Sequence, residues 1–133
     1  MNCIPIGYAH TSFKTLKETP LSSTDVHEEA TIEILPEFRK CIKGLEENKF
    51  LYILCWLHES KRDVLEVHRR HDTTKPLTGV FNSRSPERPN PISLTFVELV
   101  NVKEDSIVVK HLDALDGTPV IDIKPYLIHY DTE

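Results

Sequence analysis

Arg84 and Arg88 stand on a run, residues 80–92, that also carries Asn82, Ser83, Ser85 and Asn90. Planar guanidinium groups beside amides and hydroxyls suit a polar or anionic ligand. Pro86, Pro89 and Pro91 fall in the same stretch. Each proline fixes φ, removes a backbone donor and pushes the residue before it towards extended conformations. The run is therefore no helix and a poor central strand. It reads as a stiffened loop between two strand-like apolar segments, and ligand sites concentrate on loops held in this way. A plain surface turn, whose prolines only restrict the unfolded chain, would have the same composition.

A second cluster occupies residues 112–126, with Asp113, Asp116 and Asp122 close together. Carboxylates so placed can move protons or accept hydrogen bonds from a ligand amine or ribose. Asp116-Gly117 is also a turn signal, and turn capping accounts for Asp116 equally well. Asp122 lies between Ile121 and Ile123, which suggests a carboxylate at the edge of an apolar site. His58 closes the apolar run 50–58, and a half-buried structural histidine is the ordinary reading there. Cys55 and His58 are three apart, so on a strand they point to opposite faces and cannot share a metal ion. His68 and His71 lack further ligands, and no metal site is expected. The four glycines are widely spread, so neither a dinucleotide-binding turn nor a phosphate-cradling P-loop is present.

The elements that must position these groups form one domain, residues 1–133. Hydrophobic residues make up 39% and charged residues 28% of the chain, a composition able to build one core. The longest apolar run has strand length and falls far short of a bilayer span. Cys3, Cys41 and Cys55 are widely spaced and odd in number, which fits reduced thiols. The first residues lack a basic region followed by an apolar stretch. A cytoplasmic protein is expected. The net charge of −5 argues against unspecific nucleic-acid binding, yet residues 58–91 carry seven Lys/Arg against five acids and residues 92–133 three against eight. A local basic surface on an acidic protein, or ordinary solvated charge, fits this imbalance.

Most of the regular pattern is strand-like. Strands are expected at 3–10, 30–35, 50–58, 63–67, 92–102 and 106–112, with 103–105 as the turn of a hairpin. Residues 14–26 read as a polar loop. Pro36 suits the first turn of a short helix carrying Phe38, Cys41, Ile42 and Leu45, with Gly44 as its cap. The continuous run at 50–58 predicts a strand buried on both faces. From Ile92, Leu94 and Phe96 to Val97 and Leu99 the apolar parity switches, which predicts a bulge or bend. Many short strands with one or two helical turns give a mostly β barrel or sandwich.

Four motifs, in order and at compatible spacing across nearly the whole chain, resemble the TsaA-like family, also called the TrmO family. They are Ile6-Gly7-Tyr8 with Phe13-Lys14; residues 51–58; Gly79-Val80-Phe81 with Arg84-Ser85 and Arg88-Pro89-Asn90-Pro91-Ile92; and Leu112-Asp113, Asp116-Gly117-Thr118-Pro119-Val120 and Asp122-Ile123-Lys124-Pro125-Tyr126. The resemblance implies a small, dimeric β-barrel methyltransferase that uses S-adenosylmethionine without a Rossmann fold. It implies methylation of N6-threonylcarbamoyladenosine next to the anticodon of tRNA. Carried over by motif, cofactor contacts come from His58, Glu59, Arg84 and Leu94, closed by Lys110, His111, Leu112 and Asp113. Asp113 or Asp116 is the candidate base, because the target nitrogen must lose a proton. Arg69, Arg70, Lys75, Arg88 and Asn90 are candidates for the anticodon arm, phosphates being met by cations and loop bases by stacking and edge contacts. Departures from the family pattern are Pro20-Leu21-Ser22 in the N-terminal loop, Asn82-Ser83 before Arg84, and Ser93 after Pro91-Ile92. They leave open another acceptor on the same fold, or a non-catalytic cofactor-binding regulator.

Overall fold

The computed structural model describes residues 1–14 and 28–132, so the loop expected at 14–26 lies, beyond Lys14, outside the described residues. Eight strands follow one another: β1 (Gly7–His10), β2 (Glu29–Ile34), β3 (Phe50–Trp56), β4 (Glu66–His68), β5 (Leu77–Gly79), β6 (Ile92–Val102), β7 (Ser106–Lys110) and β8 (Pro119–Pro125). Six close into an antiparallel barrel in the order β1-β2-β7-β6-β3-β8, while β4 and β5 form a separate two-stranded ribbon. The mostly β expectation holds. Closure removes the open edges through which sheets aggregate.

Alternation along each strand builds the core. Ala30, Ile32 and Ile34 of β2, Leu51, Ile53 and Cys55 of β3, and Ile107 and Val109 of β7 all point into the barrel. They meet Ala9, Val97, Leu112 and Val120 there. Gly7 permits the close approach of β1 to β2: a Cβ at this position would lie 2.0 Å from the Glu33 carbonyl oxygen.

Four expectations need correction. β3 is buried on one face only, its other face being half-exposed Phe50, Tyr52, Leu54 and Trp56. It ends at Trp56, so His58 lies beyond it in a turn. The parity switch in β6 has a different cause from the one expected. Thr95 and Val97 face the core while Ile92, Leu94 and Phe96 form an apolar outer face, 40–44% exposed. A bulge is present, but further along, where the register against β7 slips between Leu99 and Asn101. Finally, Pro36–Ile42 is a 3-10 helix with proline at its start, and left-handed Gly44 (φ 84°) leads directly into a second one at Leu45–Glu47. Phe38, Ile42 and Leu45 pack on the core as expected, whereas Cys41 is exposed. A short α1 (Ile128–Asp131) had no clear sequence signal.

The outer face is continuous. Across the β3–β6 ladder Phe50 lies opposite Glu98, Tyr52 opposite Phe96, Leu54 opposite Leu94 and Trp56 opposite Ile92. Phe50 and Phe96 stack with centroids 5.0 Å apart, and Tyr126 meets Phe96 edge-on at 5.2 Å. Cross-strand aromatic pairs of this kind stabilise a sheet. Here they also present apolar surface to solvent.

Candidate functional site

Between β3 and β6 the chain leaves the barrel, makes the β4–β5 ribbon and returns through the proline loop. This excursion walls one end of the barrel, and the segment between β7 and β8 supplies the opposite wall. Between them lies an open cavity of about 960 Å3. A volume of this order suits a nucleoside-sized or larger ligand. Its lining brings together His58 and Glu59 after β3, Arg84 and Arg88 of the proline loop, Leu94 of β6 and Asp113.

Hydrogen bonds and a cation–π contact anchor the proline loop. The Arg62 guanidinium donates from Nε to the Pro89 carbonyl at 2.8 Å and from Nη2 to Asn90 Oδ1 at 3.0 Å. The same guanidinium lies 5.1 Å from the centre of the Trp56 ring, a cation–π contact to the end of β3. The Leu57 amide donates to the Pro91 carbonyl at 2.7 Å. Inside the loop, Arg88 Nη1 donates to the carbonyls of Ser83 (3.0 Å) and Ser85 (3.2 Å). Arg88 thus bonds within the loop, and Asn90 ties it to Arg62. Arg84 differs: among the described residues nothing pairs with its exposed guanidinium, which lines the cavity. Arg62 was missed by the sequence reading, since an arginine in a charged stretch carries no local mark of the loop it will clamp.

The two candidate bases occupy different environments. Asp113 is half-buried on the cavity wall, and Thr95 Oγ1 donates to its Oδ1 at 3.4 Å. Burial pushes its carboxyl above the usual carboxylate range, against weaker lowering by hydrogen bonds. A carboxyl so shifted is closer to accepting a proton near neutrality. Asp116 is committed elsewhere. Its Oδ1 accepts the Thr11 amide at 2.9 Å and its Oδ2 accepts Lys14 Nζ at 2.8 Å. The Lys14 bond, then the Thr11 amide, hold its carboxyl below the usual range. Thr11 Oγ1 further donates to the Ala114 carbonyl at 2.8 Å, and the Gly117 amide to the Ala9 carbonyl at 2.8 Å. Left-handed Gly117 (φ 83°) lets the turn close. Asp116 is the capping group of a clamp joining β1 to the cavity wall.

The remaining predicted residues divide by position. Arg70 and His71 line the cavity, from a 3-10 turn, Arg69–His71, at the tip of the β4–β5 ribbon. Arg69 and Lys75 are exposed on the same ribbon, away from the lining. Lys110, at the end of β7, lies opposite Glu98. Leu112 is buried in the core and His111 adopts φ 76° between them. Asp122 faces Leu54 across β8–β3 and pairs with Lys124 at 3.0 Å, on the barrel wall rather than at an apolar pocket. Cys55 is fully buried, and burial pushes its thiol up to about 12. Among the described residues no group of His, Cys, Asp and Glu could hold a metal ion, and no helix is long and apolar enough to cross a membrane.

Comparison with known proteins agrees with this architecture. A protein from Methanothermobacter thermautotrophicus named "Probable S-adenosyl-L-methionine-binding protein" is 43% identical over 96% of this chain and 91% of its own. One from Archaeoglobus fulgidus named "S-adenosyl-L-methionine-binding protein" is 38% identical over 92% of this chain and 86% of its own. The crystal structure of TrmO from P. aeruginosa superposes with a TM-score of 0.80 at 30% identity, covering 99% of this chain. This chain spans 57% of that protein's length. The family model described as the tRNA-methyltransferase O N-terminal domain matches residues 8–132, and the chain belongs to that family.

Proposed function

We propose that the chain is an S-adenosylmethionine-dependent methyltransferase acting on N6-threonylcarbamoyladenosine next to the anticodon of tRNA, and that it works as a homodimer in the cytoplasm. The observation that carries this reading is the cavity at the barrel end, which combines an arginine on a stiff loop, without a partner among the described residues, with a half-buried carboxyl of raised pKa. The donor set fits the cofactor: a guanidinium for its carboxylate, carboxylates for its amine and ribose, and Leu94 for an apolar edge. S-adenosylmethionine supplies a methyl group already activated by a positively charged sulfur.

What remains for the protein is orientation and one proton. Arg84 and Glu59 would hold the cofactor, and Leu94 would limit its position. The acceptor nitrogen is a ureido-type N–H, and Asp113 would take its proton as that nitrogen is methylated. Alignment in a confined site converts this step into an effectively unimolecular one. The exposed Arg69 and Lys75 meet phosphates of the anticodon arm, where Lys/Arg contacts give salt-dependent affinity.

The dimer completes the site. Ile92 and Leu94 belong both to the outer apolar face and to the cavity lining. A second copy seated on that face therefore borders the cavity and brings Lys110 close to it, because Lys110 lies opposite Glu98 on the same side of the barrel.

Calorimetry with Arg84→Ala and Arg84→Lys tests the cofactor assignment. A charge-assisted contact is worth roughly 1.5–3 kcal/mol, so both variants lose about ten- to a hundred-fold in S-adenosylmethionine affinity while staying folded. Wild-type affinity in Arg84→Ala removes Arg84 from the site. For the acceptor, mass spectrometry of tRNA nucleosides from cells lacking the gene shows the methylated threonylcarbamoyladenosine lost. An unchanged level defeats the acceptor assignment, and cofactor binding without any transfer supports a regulator instead.

A further inference from the structure

The cavity has one more guanidinium without a partner among the described residues than a single cofactor carboxylate explains. Arg70 and Arg84 both line it, and among the described residues neither is paired with Glu59, Glu87 or Asp113, which share the same lining. The ion pairs among the described residues lie elsewhere, at His10–Glu33, Lys14–Asp116 and Lys124–Asp122. Arg70 is also held in an unusual backbone conformation. It has φ 55° and ψ 30°, and His71 follows at φ 60°. Two successive non-glycine residues in the left-handed region carry backbone strain.

The surrounding turn enforces that conformation. Asp72 Oδ1 accepts both the Thr74 amide, at 2.9 Å, and the Thr74 hydroxyl, at 2.5 Å. His68 Nδ1 meets the Lys75 carbonyl at 2.9 Å, and the Asp72 amide donates to the Arg69 carbonyl at 3.1 Å. A glycine at position 70 would adopt the same turn without strain. The chain instead keeps a long cationic side chain there, on the cavity lining.

We infer that Arg70 is a specificity-determining residue that takes an oxyanion of the methyl acceptor, while Arg84 serves the cofactor. The inference rests on the methyltransferase reading for the word acceptor, but the second anion site stands on geometry alone. The oxyanion is a carboxylate carried by the modified base or a backbone phosphate beside it.

Two experiments decide it. In the first, inorganic sulfate is titrated into the 15N-labelled full chain, with and without S-adenosylhomocysteine. The Arg70 Nε–H signal and the amides of residues 68–75 are followed. Saturable shifts that vanish in Arg70→Gln and persist in Arg84→Gln are expected in both conditions. Shifts that are absent, or unchanged in Arg70→Gln, overturn the second anion site whether or not the protein proves to be a methyltransferase. Arg70→Gly supplies a control on fold: it should melt higher than wild type yet lose the sulfate response, whereas lower melting marks a merely structural arginine.

In the second, methyl transfer is measured to an anticodon stem-loop carrying N6-threonylcarbamoyladenosine, and to the same RNA with the threonyl carboxylate amidated. Arg70→Gln should raise KM for the carboxylate substrate by roughly ten- to a hundred-fold with cofactor affinity unchanged. A loss confined to the carboxylate substrate assigns that group. An equal loss on both, with a shallower salt dependence, assigns a phosphate. An unchanged KM for both overturns the role in acceptor recognition. If wild type transfers no methyl to either RNA, the acceptor reading fails while the sulfate result still stands.

Discussion

At the scale of single residues, environment separates groups that sequence alone leaves equivalent. Asp113 and Asp116 are three positions apart, yet burial raises one carboxyl and the Lys14 and Thr11 bonds lower the other. The consequences for stability have opposite signs. For Asp116 the folded pKa lies below the unfolded one, so its contribution is present above the ordinary carboxylate value and fades as pH falls through the lowered pKa. For Asp113 the native state holds the extra proton, so stability falls as pH rises from the ordinary carboxylate value near 3.8 towards the raised pKa. Asp113→Asn should therefore raise the melting temperature at pH 7, lose that gain below about pH 4, and abolish methyl transfer. Melting curves across pH check the first part, and no gain at pH 7 would show the carboxyl to be solvated. Cys55 gives a second residue-scale expectation. Its buried thiol should resist iodoacetamide in the folded protein while exposed Cys3 and Cys41 react. Labelling followed by mass spectrometry would show Cys55 modified only after denaturation. That Arg84 stands on a stiff loop was legible in the sequence, because prolines and arginines in one short stretch restrict what the stretch can be. The division of labour between Arg84 and Arg88 was not, since it depends on which carbonyls the folded loop turns inward.

Elements tell a similar story about legibility. β6 was read with its bounds intact, because eleven residues of β-branched and aromatic character end at clear turn signals. β3 was misjudged as buried on both faces. A continuous apolar run is the same whether the second face meets a helix layer, a partner or water, and only the barrel shows which side is outside. The motif around Gly7 had no explanation in the sequence. The structure supplies it, since the Glu33 carbonyl occupies the space a Cβ would need. Gly7→Ala should therefore displace β1 from β2 and cost on the order of 2 kcal/mol or more, as overpacking against backbone does. Chemical denaturation measures this, and a variant of wild-type stability would mean that the strand pair relaxes freely. The excursion between β3 and β6 is fastened to this frame at both ends. The strands hold the ends of the excursion by the Leu57–Pro91 bond and the Arg62–Trp56 contact, and the excursion carries most of the cavity.

For the whole molecule, charge is uneven along an acidic chain: residues 58–91, mostly the excursion, carry seven Lys/Arg against five acids, and residues 92–133 three against eight. The outer β3–β6 face of the barrel is apolar enough to need a cover, and dimerisation through it is expected to bury on the order of 1,200 Å2 or more. Phe96→Asp, which sets a charge among Phe50, Tyr52 and Tyr126, should yield folded monomer in sedimentation at micromolar concentration. A dimer that survives this change is built on another face. The barrel's circumference is uneven as well. Seven residue pairs join β3 to β6, whereas the β1–β8 ladder has two, Gly7 with Val120 and Tyr8 with Pro119, continued by the Ala9 amide to the Thr118 carbonyl and the Gly117 amide to the Ala9 carbonyl. Pro119 contributes no amide to that short join. A cylinder with one weak seam unzips there first. The β1 amides should lose hydrogen-exchange protection earliest among the six barrel strands, well before β3 and β6. The Thr11–Asp116 clamp sits immediately beside this seam and fastens it, so acid strong enough to protonate Asp116 would split the cylinder along one line before it melts the rest.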